Sequence, residues 1–117
     1  MMVPHNQNIP IHFVVLKDSL LVGTITLKEE GAPEFTDYPK NSVWIGSLHI
    51  LPKERKQGLG HELLTLVQTV AKGLGHKNLY FYTSNPANVK WYLDRGALLI
   101  EERSFRNNRI TLMQFLL

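Results

Sequence analysis

The chain has 117 residues, 44% of them hydrophobic, which is enough for one modest core and too little for two ordinary domains. Its formal net charge is +3, but the basic residues are dispersed and no aromatic residues alternate with them, so nucleic acid is not an expected partner. The absence of cysteine excludes disulfides, thiolate metal sites and a cysteine nucleophile, and no apolar run approaches the ~18 residues that a membrane span needs. We therefore predict one domain over residues 1–117, without a membrane segment and located in the cytoplasm.

The first predicted unit is a hairpin. Residues 11–17 and 21–28 are rich in β-branched and aromatic types, and Asp18 and Ser19 between them favour a turn. Residues 29–41 combine glycine, two prolines and isolated aromatic residues, a composition typical of a loop or a mobile flap. Strand character is expected to resume only after this segment.

The middle of the chain predicts a strand, a helix and a second strand. Residues 43–51 are almost continuously apolar, as in a central strand covered on both faces, and Pro52 stops it. Residues 61–74 carry apolar side chains at helical spacing. These apolar positions are Leu63, Leu66, Val67, Val70 and Leu74. Because residues 79–83 form another strand pattern, we expect a crossover unit that binds ligands at the carboxyl end of its first strand.

A glycine-containing segment, which we call the phosphate loop, joins the first of these strands to the helix. Its residues are Arg55, Lys56, Gln57, Gly58, Leu59 and Gly60. Gly58 and Gly60 lack Cβ atoms, so the backbone can turn tightly and bring its N–H groups close to an anion, which the positive end of the helix also favours. Three cations lie in or just before the loop, so we expect an anion with more than one phosphate.

A dinucleotide-binding fold is the enzymatic alternative for such a loop, and two features of its pattern are missing. Leu63 stands where the third glycine of that fingerprint is required. The strand at 79–83 is followed by Ser84 and Asn85, without the acidic residue that binds a ribose. We therefore discount this alternative.

The last third of the chain predicts a short helix and a second hairpin. Asn85 can cap a helix over residues 86–95 that starts with proline, and Gly96 can close it. Residues 97–103 and 109–116 are strand-like, and the residues between them suit a tight turn.

Two spaced motifs of this sequence resemble the GNAT family of N-acetyltransferases. The family's acyl-CoA signature is Arg or Gln, two residues, Gly, one residue, then Gly or Ala; its residues here are Arg55, Gly58 and Gly60. A downstream signature has Asn, Tyr and Gly; its residues here are Asn85, Tyr92 and Gly96. The resemblance covers residues 11–117. It implies an α/β (α+β) fold with a mixed, mostly antiparallel sheet of about six strands and two main helices, in which the family's N-terminal helices are missing.

The resemblance implies acetyl-CoA as co-substrate and no metal. Backbone N–H groups of residues 56–61 would hold its pyrophosphate, while backbone groups of Leu48 and Ile50 would pair with the pantetheine arm as though it were another strand. Asn85 would lie near the same arm. The predicted cofactor-binding residues are Leu48, Ile50, Arg55, Lys56, Gln57, Gly58, Leu59, Gly60, His61 and Asn85.

The resemblance also implies an activity, the transfer of an acetyl group from acetyl-CoA to a primary amine of a small molecule or peptide. The amine would attack directly in a ternary complex, and Tyr92 would act as general acid at the sulfur. A phenol with a pKa of about 10 can protonate a thiolate whose conjugate acid has a pKa of about 8.5. The alternative is a non-catalytic CoA-binding module with a regulatory role.

The general base stays unassigned at this stage. Many relatives carry a carboxylate on the central strand, on the face of Leu48 and Ile50, and simple alternation puts Trp44 and Gly46 on that face here. The remaining candidates are His49, Glu34 and Asp37, or a chain of waters. Alternation turns His49 away from the cofactor residues, which favours a structural role.

The acceptor side has weaker signals. Its candidate lining residues are Glu34, Phe35, Asp37, Tyr38 and Trp44. The alternative, an ordinary solvated loop without a binding role, is slightly favoured because nothing in the sequence fixes the geometry of these side chains. Trp91 is predicted to be a packing or surface residue. Relatives have a strand and two helices before the hairpin, whereas only ten residues precede it here. We therefore expect that the acceptor site is unusually open, that another subunit covers it, or that the open reading frame is shortened. The exposed edge of the first hairpin would allow a homodimer.

Overall fold

The fold is a six-stranded mixed sheet with two helices, described for residues 10–29 and 31–117 by a computed structural model. The strands are β1 Ile11–Lys17, β2 Leu20–Glu29, β3 Val43–Ile50, β4 Asn78–Thr83, β5 Leu98–Phe105 and β6 Asn108–Leu116; the helices are α1 Leu59–Gly73 and α2 Pro86–Leu93. The strand order is β1-β2-β3-β4-β6-β5, with β3 and β4 parallel and the other neighbours antiparallel. The predicted fold class is therefore confirmed. That the chain is one domain stays a prediction.

Both hairpins close through tight turns that use the left-handed backbone region. Asp18 and Ser19 have φ values of 52° and 68°, and Arg106 and Asn107 have values of 49° and 67°. Two consecutive residues with positive φ give a turn whose twist matches the twist of the flanking strands. Both predicted hairpins are confirmed.

Helix α1 starts earlier and buries a different stripe from the predicted one. It begins at Leu59 because Gly58, with φ 82°, serves as its N-cap. The buried side chains are Leu63, Leu64, Val67 and Ala71. Leu66 and Leu74 are 42% and 55% exposed, so their predicted burial was wrong. Leu66 lies beyond one border of the buried arc, and Leu74 stands at the C-cap.

The sheet has a different cover on each face. Both helices pack on one face, over a core that includes Ile25, Leu63 and Phe81. On the other face residues 31–42 cover a second group of side chains, which we call the aromatic cluster; its buried members are Phe35, Trp44, Phe105, Ile110 and Leu112. The ring of Phe35 stacks on that of Trp44 at 5.3 Å and 9°. The segment is thus a packed loop rather than a flap.

A β-bulge at Gly46 changes which face of β3 each side chain occupies. Thr26 lies opposite Ser47 and Leu27 lies opposite Ile45, so Gly46 is the extra residue. The bulge reverses the simple alternation, because Ile45 before it and Leu48 after it both pack on the face of the helices.

Two predictions about β3 were therefore wrong. Trp44 lies in the aromatic cluster, on the face opposite to Leu48 and Ile50. The strand is also not covered on both faces throughout, since Gly46, Ser47 and His49 are exposed. The alternation that predicted these positions assumed a strand without a bulge.

No helix within residues 10–29 and 31–117 is long and apolar enough to span a membrane. Across the same part of the chain, no three His, Cys, Asp or Glu side chains are grouped so that they could hold a metal ion. The cytoplasmic location stays a prediction.

Candidate functional site

The candidate site lies where β3 and β4 separate. The two strands pair only at Val43–Leu79 and Trp44–Tyr80, near the amino end of each strand. Beyond these pairs the strands have no common ladder, and we call this unpaired region the splay. A cavity of about 420 Å³ opens at the carboxyl ends of the strands. The sequence predicted a ligand site at this end of the crossover unit, and that ligands bind there stays a prediction.

The cavity brings together most of the predicted site residues. Those that line it are Leu48, Ile50, Arg55, Lys56, Leu59, Gly60, Asn85 and Tyr92. The predicted residues that do not line it are Gln57, Gly58 and His61. Four further residues line it: His49, which was a candidate for the base, and Glu54, Asn88 and Trp91, which were predicted neither as cofactor-binding nor as catalytic. Asn88 stands three residues after the cap residue Asn85, a helical spacing that could have revealed it; no sequence signal pointed to Glu54.

The backbone of the phosphate loop is shaped to hold an anion. Lys56 and Gly58 have φ values of 68° and 82°, so the chain passes twice through the left-handed region. For Lys56, which has a side chain, this conformation costs about 1–2 kcal/mol. The first bond of α1 runs from the N–H of Glu62 to the carbonyl of Gly58, and the preceding N–H groups of a helix have no intrahelical partner. Such N–H groups in a turn form an anion-binding concavity.

Two side-chain contacts brace the phosphate loop. The Nε of Arg55 donates to the carbonyl of Ile50 over 2.9 Å, which ties the loop back to the end of β3. Glu54 is 7% exposed, and its Oε1 accepts from Nζ of Lys17 at 3.1 Å. Lys17 ends β1, so the tip of the first hairpin holds the segment that leads into the loop. The side chain of Arg55 therefore has a structural contact besides its predicted charge.

The backbone of β3 presents an unpaired edge to the splay. The N–H of Leu51 donates to the carbonyl of Val22 in β2 over 3.0 Å. Because backbone groups of successive strand residues point to opposite edges, those of Ile50 and Leu48 point away from β2, toward the splay. Of these groups, the Ile50 carbonyl accepts from Nε of Arg55, and the strand β4 pairs with none of them. This geometry agrees with the predicted strand-like pairing of an extended ligand.

Tyr92 lines the cavity from α2. Its ring packs against Phe81, with centroids 4.5 Å apart. Burial raises the pKa of the Tyr92 phenol above its usual value, so the hydroxyl is protonated at neutral pH. At the start of the same helix, Oδ1 of Asn85 accepts from the N–H of Ala87 at 3.0 Å, which confirms the predicted cap.

The loop residues proposed for the acceptor side or the base lie elsewhere. Carboxylates Glu34 and Asp37 bind Arg106 and Arg103 at 2.7 and 2.6 Å. Hydrogen bonds from these guanidinium groups lower the pKa of each carboxyl, which makes both poor proton acceptors. The aromatic candidates Phe35, Tyr38 and Trp44 line a separate cavity of about 390 Å³, which shares no lining residue with the first. His49 is thus the predicted base candidate that lines the main cavity.

Several solved acetyltransferases share this fold. A provisionally named streptothricin acetyltransferase from Bacillus anthracis str. Ames, in complex with acetyl coenzyme A, aligns with TM-score 0.79 and 18% identity over 96% of this chain and 65% of its own. The PaiA N-acetyltransferase from Thermoplasma acidophilum, in complex with coenzyme A, aligns with TM-score 0.71 and 18% identity over 92% of this chain and 60% of its own. A GNAT acetyltransferase from Elizabethkingia anophelis with acetyl-CoA bound aligns with TM-score 0.70 and 18% identity over 91% of this chain and 75% of its own.

The likeness to these structures shows a common fold, and this chain spans somewhat less than two thirds of the length of the first two. The family follows from the sequence itself. Residues 4–97 match the acetyltransferase (GNAT) family, so the chain belongs to that family, as the two motifs predicted. A comparison with curated proteins found no match.

Proposed function

We propose that the chain is an N-acetyltransferase, which transfers the acetyl group of acetyl-CoA to a primary amine of a small molecule or peptide. The observation that carries this proposal is the cavity in which the phosphate loop, the unpaired edge of β3 and the Tyr92 phenol meet. Membership of the GNAT family and the acetyl-CoA held by two structures of the same fold support it.

In the proposed complex, each part of acetyl-CoA meets a matching part of the cavity. The pyrophosphate binds the N–H groups of residues 56–61, with charge from Arg55 and Lys56. The pantetheine arm runs along the edge of β3 and pairs with the backbone of Leu48 and Ile50 as an added strand. The thioester then lies near Tyr92.

The proposed chemistry is direct attack by the neutral amine. Its nitrogen forms a bond to the carbonyl carbon, the tetrahedral oxyanion collapses, and the C–S bond breaks. The departing thiolate takes the phenolic proton of Tyr92, whose ring is held in place by Phe81. The surplus proton of the amine leaves through water or through His49, which lines the cavity, and water returns a proton to the Tyr92 phenolate.

A thiol-release assay with acetyl-CoA against a panel of amines and peptides tests the proposal. We expect release with at least one acceptor. Tyr92→Phe should lower kcat about 10²–10⁴-fold, the usual contribution of a general acid, and leave CoA affinity nearly unchanged. Tyr82→Phe is the matched control, because Tyr82 is exposed and does not line the cavity.

One result would contradict the proposed activity, and a second would contradict only the proposed role of Tyr92. CoA binding without thiol release across the whole panel would favour the non-catalytic regulatory module. Equal rates for the wild type and Tyr92→Phe would remove Tyr92 from the chemistry while the rest of the proposal stands.

We also propose that two copies of the chain associate through β1. In the described part of the chain β1 is an outer strand of the sheet, and its outer edge has unpaired backbone groups that a second β1 can satisfy. Val14 and Leu16 beside this edge are 55% and 62% exposed. Sedimentation velocity that shows only a monomer at working concentration would contradict this proposal.

A further inference from the structure

Trp91 lies where α2 meets the first turn of α1. A Cβ atom added at Gly60 would stand 3.1 Å from Cζ2 and 3.2 Å from Cη2 of Trp91, so the edge of the indole already touches the backbone of α1. Favourable separations between carbon atoms are about 3.5–4.0 Å. The family signature accepts alanine at this position, but here the indole would have to shift by a few tenths of an ångström to admit it.

The indole of Trp91 is itself held in place. The guanidinium of Arg95 lies over the ring at 3.9 Å, and its Nη1 donates to the Trp91 carbonyl at 2.9 Å. The ring of Tyr92 meets that of Trp91 edge to face, with centroids 5.1 Å apart and planes at 82°. One side chain therefore touches both the phosphate loop, at Gly60, and the proposed general acid.

We propose that Trp91 is a positioning residue that sets the distance between the phosphate loop and the Tyr92 hydroxyl. This inference rests on the proposed function, since the distance matters only if one donor touches both groups. The length of acetyl-CoA between pyrophosphate and thioester is limited by its arm, so a displaced loop displaces the thioester from Tyr92. A misplacement of about 1 Å can lower a rate about 100-fold.

A comparison of two acetyl donors distinguishes this positioning role of Trp91 from a purely structural one. Acetyl-CoA engages the phosphate loop, whereas S-acetylpantetheine has the same thioester and arm but no pyrophosphate. We expect Trp91→Ala to lower kcat/KM about 10–100-fold with acetyl-CoA. Its kcat/KM with S-acetylpantetheine should fall by a much smaller factor, because that donor is not anchored at the loop. Leu93→Ala, an exposed position on the same helix, should behave like the wild type with both donors.

A size exchange across the same contact gives a second test. Gly60→Ala adds the Cβ that the indole opposes, so it should lower kcat/KM by a larger factor for acetyl-CoA than for S-acetylpantetheine. Adding Trp91→Phe in the same chain removes the opposing ring edge and should restore part of the loss. Circular dichroism and thermal unfolding check that each variant is folded.

An equal loss with both donors would overturn the inference, because Trp91 would then act on Tyr92 or on the arm directly. Folded Gly60→Ala protein that shows no recovery on adding Trp91→Phe would also overturn it. Absence of turnover by the wild type with either donor would instead remove the proposed function, and this inference with it.

Discussion

At the scale of single residues, the two glycines of the phosphate loop have different reasons to be glycine. Gly58 has φ 82° and open space around the place of its missing Cβ, so backbone conformation alone requires glycine there. Gly60 is instead constrained by the indole of Trp91. The sequence predicts both as members of one motif, but only the contact between distant segments distinguishes them.

Replacing Gly58 with alanine should affect both stability and binding. The left-handed conformation should cost about 1–2 kcal/mol in the free energy of unfolding, and relaxation of the loop should weaken CoA binding. Gly73→Ala is the control: it lies in α1, nothing stands within 4 Å of an added Cβ, and alanine there should stabilise by up to about 1 kcal/mol. Urea unfolding and calorimetric CoA titration measure both quantities. Equal stability of the two variants would contradict this explanation.

Residues whose role is local were predictable, and residues whose role depends on tertiary contacts were not. Asn85 as a cap and Gly58 as a turn residue follow from near neighbours in the chain. Glu54 lines the cavity and is held by Lys17, which is 37 positions away. Trp91 likewise gains its place in the site only when α2 packs beside α1.

At the scale of elements, the order and type of strands and helices were predictable, because the spacing of apolar residues and the positions of turn residues specify them locally. The bulge at Gly46 was missed because alternation was assumed to be unbroken. A signal existed: Ile45 and Leu48 are apolar and three residues apart, with glycine and serine between them, which a regular strand does not place on one face. The bulge matters to the site, since it turns Leu48 and Ile50 toward the helices.

The ion pair between Lys17 and Glu54 joins β1 to the segment before the phosphate loop, and its removal should loosen that segment. In Lys17→Met the nearly buried carboxylate loses its partner. Because the Lys17 side chain is 55% exposed, the free energy of unfolding should fall by no more than about 1 kcal/mol. CoA affinity should fall several-fold. The difference in CoA affinity between the variant and the wild type should be smaller at high salt, because salt screens the ion pair of the wild type.

Lys90→Met is the matched control for this ion pair. Lys90 pairs with Asp94 on the exposed side of α2 and does not line the cavity. Calorimetric titration with CoA at low and high salt measures the effect. A Lys17→Met protein with wild-type CoA affinity at both salt concentrations would show that the pair does not support the loop.

At the scale of the whole molecule, the two faces of the sheet are unequally covered. The helices cover one face, while residues 31–42 cover the other face only over the aromatic cluster, and His12, Val14 and Leu16 of β1 remain exposed. The ion pairs of Glu34 and Asp37 fasten the covering loop to the last hairpin. Such cross-connections between distant segments cannot be derived from periodicity along the chain.

A charge on the outer strand should separate the proposed dimer. Val14→Lys places a lysine on β1, where charged edge residues oppose pairing, and we expect the sedimentation coefficient to fall to that of a monomer. Leu98→Lys alters β5, the opposite outer strand of the described sheet, and should leave the dimer intact. Dissociation by the second variant alone would place the contact at β5 instead.

Because of the splay between β3 and β4, the proposed cofactor would have a structural role in addition to its chemical one. A strand in the middle of the sheet has the open backbone groups of an outer strand over half its length. An extended arm bound there would close the sheet, so the donor would serve as a removable strand as well as a reactant. Each release of CoA would then expose the backbone groups of β3 at the splay again, until the next donor binds.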